Sequence, residues 1–100
     1  MVKKIKEFNL KNNRKLDINS RFLDIVSEVG ELSKEVLKKT KYGTCEFEKT
    51  DEFVEEFGDV LYSLISFGLE CGVDVENSID LVLKKYQSRI ENTGNMASKN

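Results

Sequence analysis

The sequence predicts an all-α domain, and three observations carry that prediction. Proline is absent and glycine numbers six in 100 residues, too few turn formers for a fold of many short strands. Apolar residues recur three and four apart over long stretches instead of alternating, the periodicity of helices buried along one side. Capping residues stand where those stretches begin and end. Residues 1–100 are expected to form a single domain, since the length suits one hydrophobic core.

The first segment, residues 2–14, carries Val2, Ile5, Phe8 and Leu10 among lysines and asparagines. Its apolar spacing predicts a short amphipathic helix, weakened by Asn9, Asn12 and Asn13, with Phe8 as a core contact. Asp17, Asn19 and Ser20 then offer capping oxygens, and Gly43 stands where a helix stop would lie, so a long helix is expected over about 18–41. Phe22, Ile25, Val26, Val29, Leu32, Val36 and Leu37 share one stripe of it, and Asp24, Glu28, Glu31 and Glu35 lie on roughly the opposite side.

Acids opposite an apolar stripe ordinarily form a solvated face. Here they form a row of one sign, and like charges a turn apart each cost a few tenths of a kcal/mol. Gly30 sits inside the row, and a mid-helix glycine suggests close approach by backbone or ligand.

Thr50 is a capping residue for the next helix, about 51–71, with Asp51 and Glu52 in its first turn. Its apolar arc is wide, from Phe53, Val54 and Phe57 through Val60, Leu61, Tyr62, Leu64 and Ile65 to Phe67, Leu69 and Cys71. Most of this helix is therefore expected to be enclosed. Glu56 and Asp59 would then face other protein, where an unpaired charge is costly. Between Thr50 and Leu83 there is no lysine or arginine to neutralise them. Gly72 can end this helix and Asp74 can cap the last, about 75–91, where Val75, Ile79, Val82, Leu83, Tyr86 and Ile90 are the apolar positions. Basic residues return at Lys84, Lys85 and Arg89, and residues 92–100 read as a frayed polar tail.

Glu28 and Glu31 stand three apart on one predicted helix, as do Glu56 and Asp59 on another. Each pair projects from one helix face, so two pairs brought together would make a cluster of four acids. Such a cluster repels itself unless a divalent cation sits in it, and oxygen ligands suit Mg²⁺ or Mn²⁺. Histidine is absent, and Cys45 and Cys71 lack CxxC spacing, which removes zinc sites and triad chemistry. A net charge of −2 argues against a dedicated nucleic-acid binder. With neither a signal-like nor a membrane-length apolar run, the protein is expected to be soluble and cytoplasmic.

Glu28-Val29-Gly30-Glu31-Leu32, then Glu55-Glu56-Phe57-Gly58-Asp59-Val60-Leu61, then Lys85 and Arg89 four apart, together resemble the MazG-like family of all-α nucleoside triphosphate pyrophosphohydrolases over about residues 18–90. The resemblance implies a four-helix bundle completed by homo-oligomerisation, as a dimer or tetramer. It implies hydrolysis of a nucleoside triphosphate between the α and β phosphates, to the monophosphate and pyrophosphate, in a role such as cleansing of the nucleotide pool. Glu28, Glu31, Glu56 and Asp59 would hold Mg²⁺, with Mn²⁺ as a substitute, and serve catalysis, while Lys85 and Arg89 would bind substrate phosphates. Glu35 would be an outlying candidate for further metal or water contacts. Where relatives often carry asparagine after the lysine, this chain has Tyr86. The alternative is a non-catalytic helical module that binds nucleotide or metal, or serves assembly.

Overall fold

The computed structural model describes residues 1–14 and 17–95. Four helices follow one another: α1 (Val2–Lys11), α2 (Ile18–Lys39), α3 (Asp51–Glu70) and α4 (Val75–Thr93). No strand occurs among the described residues.

The helix boundaries follow the capping chemistry. Asp17 accepts the Ser20 N–H at 2.9 Å and the Ser20 hydroxyl at 2.9 Å, which opens α2. Thr50 accepts the Phe53 N–H at 3.2 Å and Asp74 the Asn77 N–H at 3.0 Å, opening α3 and α4. α1 is shorter than its periodicity suggests. It stops at Lys11, because the Asn12 side chain turns back onto the Phe8 carbonyl and Asn13 adopts φ 51°, a conformation asparagine tolerates better than most residues. α2 also stops before Gly43: Thr40 closes it, and Lys41, Tyr42 and Gly43 take φ of 47°, 59° and 88° in succession. α4 runs to Thr93 and ends on left-handed Gly94, so residues 92 and 93 are helical where a frayed tail was expected; residues 96–100 of that tail lie outside the described residues.

α2 and α3 form an antiparallel hairpin that is the centre of the fold. Phe22, near the start of α2, meets Phe67, near the end of α3, at 5.8 Å between ring centroids. α1 lies on another side of α3, where Phe8 packs edge-on to Tyr62 at 6.1 Å. Phe8 nevertheless stays 52% exposed, a lid on Tyr62 and not the core residue its spacing suggests. α4 meets α3 only briefly. Gly68 lets its first turn come close, since a Cβ there would stand 3.4 Å from Val75 Cγ2.

The expectation that α3 is mostly enclosed does not hold within one chain. Ile65 is the only buried hydrophobic residue among those described, while Val54, Phe57 and Leu64 on α3 are about half exposed. The α2 stripe divides in the same way. Ile25 and Leu32 are partly covered, and Phe22, Val26, Val29, Val36 and Leu37 are exposed. The radius of gyration is 16.8 Å, against about 13 Å for a compact domain of this length. Four helices, with α4 meeting α3 only briefly, are too few to surround two apolar faces as wide as those of α2 and α3.

The two mid-helix glycines of the motifs behave alike. A Cβ on Gly30 or Gly58 would meet nothing within 4 Å, so the close approach expected at Gly30 is not made by this chain. Gly30→Ala should therefore raise stability by about 1 kcal/mol through helix propensity, read as a higher midpoint in urea. A lower midpoint would place a ligand or a second chain against that position.

Candidate metal centre

The antiparallel register brings the middle of α2 opposite the first half of α3. Glu28 of α2 and Glu56 and Asp59 of α3 each offer a carboxylate oxygen, all within 4.8 Å of one another. Glu28 and Glu56 are half-buried and Asp59 is exposed, so the group forms a shallow acidic seat along the helix seam. No ion pair to any of the three is found among the described residues.

Electrostatics show the strain of that arrangement. The Glu28 carboxyl holds its proton more tightly than an ordinary glutamate, first because it is partly desolvated and then because Asp59, Glu56, Glu31 and Asp24 repel its charge. Glu56 is shifted the same way, by desolvation and then by Asp59, Glu31, Glu35 and Glu55. Desolvation and like charge both disfavour the ionised form. A hard divalent cation would relieve both, and an all-oxygen donor set is what Mg²⁺ or Mn²⁺ takes. The residues present therefore fit such an ion.

Glu31, the fourth acid of the expected cluster, stands outside this group of three. Its side chain points outward to Lys34, 3.6 Å away, and Glu35 reaches Lys38 at 4.0 Å. The row of like charge on α2 is thus partly relieved by lysines one turn on, and Glu28 is the member of the row that joins the trio. Such exposed pairs hold weakly, and Glu31 remains near enough to raise the proton affinity of both Glu28 and Glu56.

Lys85 and Arg89 converge on the ring of Tyr86, with the ammonium 5.6 Å and the guanidinium carbon 6.0 Å from its centroid. The residue that departs from the family pattern is therefore the platform on which both cations rest. They sit in the second half of α4.

A polar cluster that the sequence reading did not single out adjoins the acids. Arg21 is 2% exposed, and Ser63 and Ser66 are buried with it. The Tyr62 hydroxyl donates to Asn9 Oδ1 at 2.5 Å, and Asn9 Nδ2 donates to Ser66 Oγ at 3.1 Å. Arg21 lies two helical turns before Glu28 on the same arc of α2, which is the signal that could have found it.

A helical domain with a trio of carboxylates meeting across two facing helices has the donor set of a divalent-metal centre. The chain belongs to the family of the MazG nucleotide pyrophosphohydrolase domain, whose model matches residues 17–93, the whole of α2, α3 and α4. No curated protein and no solved structure matches the chain.

The raised proton affinities set a pH dependence. Because Glu28 and Glu56 bind protons more tightly folded than unfolded, the folded state carries more protons just above the ordinary glutamate range, and stability falls as pH rises through that window. Asp17 runs the other way. Its carboxylate is held below the ordinary value by the Ser20 bonds, and its contribution is lost as pH falls. The acid cluster is therefore read by difference: in chelator, wild type should lose stability relative to a Glu28→Gln/Glu56→Gln double variant as pH rises from about 4 to about 7. Thermal melts of the two proteins check it, and a constant difference would remove the repulsion argument.

Proposed function

We propose that this domain hydrolyses nucleoside triphosphates between the α and β phosphates, releasing the monophosphate and pyrophosphate, with Mg²⁺ at the acid cluster and Mn²⁺ able to replace it. The observation that carries the reading is the meeting of Glu28, Glu56 and Asp59, with no ion pair to any of them found among the described residues, within a MazG domain. A divalent ion bound there would neutralise polyphosphate charge and lower the pKa of a coordinated water. Glu28, Glu56 and Asp59 would hold it. Glu31, which stands outside the trio, would join them as a fourth ligand once an ion draws it from Lys34, and one of these acids would orient the attacking water or take its proton. Lys85 and Arg89 would contact phosphate oxygens, with Tyr86 fixing both side chains.

The domain is read as one unit over residues 1–100, acting in the cytoplasm as a homodimer or tetramer. Its accessible surface is 7914 Å², against about 5,800 Å² for a compact monomer of this mass. The excess of about 2,000 Å² per chain falls in the range that obligate homodimers bury. Pairing would also offer a route for the α4 cations of one protomer to reach the centre of the other. No helix among the described residues is long and apolar enough to cross a membrane, and the acidic α3 makes nucleic acid an unsuitable partner.

The test is product analysis on a panel of ribo- and deoxynucleoside triphosphates, with Mg²⁺ and with chelator. Metal-dependent pyrophosphate is the expected result. Orthophosphate would move the cleaved bond, and folded protein without any product would favour the non-catalytic nucleotide- or metal-binding module.

A further inference from the structure

The most unusual side chain outside the acid trio is Arg21, a guanidinium 2% exposed. No acid among the described residues is paired with it; the ion pairs Lys34 with Glu31 and Lys38 with Glu35 lie elsewhere on α2. Burying a cation without a counter-charge is costly, so the contacts that hold Arg21 there bear on what it does. Its Nη2 donates to the carbonyl of Arg14, in the connector between α1 and α2. Its guanidinium carbon stands 5.9 Å from the Tyr62 ring centroid, and Tyr62 is bound in turn to Asn9 and through it to Ser66. One side chain of α2 thus ties the connector to the polar pair that seats α1 on α3.

We infer that Arg21 is a positioning residue, a latch that holds α1 and its connector in place along α3 beside the acid cluster. The placement couples the two regions: Tyr62 lies one turn after Asp59, and Arg21 two turns before Glu28. α1 is otherwise lightly held, since it has no buried residue of its own. Once seated it forms one wall of a groove of about 270 Å³, lined by Lys6, Asn9, Leu10, Leu69 and Glu70. Residues 1–14 carry Lys3, Lys4, Lys6, Lys11 and Arg14 against a single acid, Glu7, so seating α1 lays a positive edge along α3. The consequence for catalysis, better nucleotide binding with the latch closed, rests on the pyrophosphohydrolase reading; the latch itself does not.

The experiment compares full-length wild type with Arg21→Met, Arg21→Lys and Tyr62→Phe by amide hydrogen exchange and by nucleotide kinetics. Arg21→Met keeps the apolar stem and removes the donors, so the α2–α3 hairpin should remain as protected as in wild type while α1 exchanges about tenfold faster or more. Tyr62→Phe, which removes one hydroxyl, should loosen α1 in the same direction and serves if Arg21→Met does not fold. Arg21→Lys, which keeps a donor for the Arg14 carbonyl, should recover part of the protection. KM for the nucleotide should rise by about tenfold in Arg21→Met with kcat little changed, the pattern of lost binding. Unchanged α1 exchange in both Arg21→Met and Tyr62→Phe overturns the latch. Loosened α1 with unchanged KM overturns its role in positioning. A wild type without activity defeats the pyrophosphohydrolase reading instead, and α1 exchange still decides the latch.

Discussion

Glu56→Gln is expected to abolish metal-dependent pyrophosphate release while leaving the fold intact, a loss of about 100-fold or more in kcat/KM, the scale seen when a group that stabilises transition-state charge is removed. The substitution keeps the side-chain shape and removes one of three carboxylates that meet within 4.8 Å. Its sign on stability should be opposite to its sign on activity. Glu56 is half-buried with Asp59, Glu31 and Glu35 acting against its charge, so in chelator the neutral variant should melt at the same temperature or higher. With Mg²⁺ present the order should reverse, because the wild type gains the free energy of binding an ion that the variant holds less well. Kinetics and melts with and without Mg²⁺ therefore separate a metal seat from a solvated acidic face. A variant that keeps its turnover, and whose melting responds to Mg²⁺ as the wild type's does, would return these acids to the solvent-facing role.

Much of this architecture is legible in the residues because local chemistry sets it. Asp17, Thr50 and Asp74 each cap a helix by accepting an N–H three residues on, and short polar side chains before an apolar periodic run announce that geometry. The seam acids are legible for a related reason: Glu56 and Asp59 lie on a helix whose apolar arc leaves them only a narrow strip. What periodicity could not show is which part of each apolar stripe faces inside its own chain. Val26 and Ile25 are equally apolar neighbours on α2, yet one is exposed and the other partly covered. A stripe only partly covered by its own chain looks in sequence like one wide buried stripe. Glu31 differs from Glu28 for a similar reason, because a turn of only three residues rotates it away from α3 and toward Lys34. Arg21 escaped notice because an arginine among apolar residues usually lies at a surface. Only the meeting of α1, α2 and α3 encloses it.

Leu64→Asp is expected to dissociate the proposed homo-oligomer, and the argument turns on where Leu64 lies. In the single chain it is 51% exposed, on the α3 strip that also leaves Val54 and Phe57 about half exposed. If the chain worked alone, a charge at such a position would change stability by no more than about 0.5 kcal/mol. If a second copy covers the strip, each dimer would bury two carboxylates without partners, since symmetry places the substitution on both sides. Burying an unpaired charge costs several kcal/mol, so the dissociation constant should rise by about 1,000-fold or more. Sedimentation across a dilution series reads the change directly. Apolar strips on α2 and α4, at Val26, Val29, Ile79 and Leu83, would lose their cover together with α3, and the dissociated chain should melt far lower than the assembly. A Leu64→Asp protein that sediments and melts like wild type would mean that this strip of α3 lies outside the interface. A wild type that is already monomeric at micromolar concentration would mean that the open hairpin is how this domain works, and that its acid seat must bind phosphate without help from a second α4.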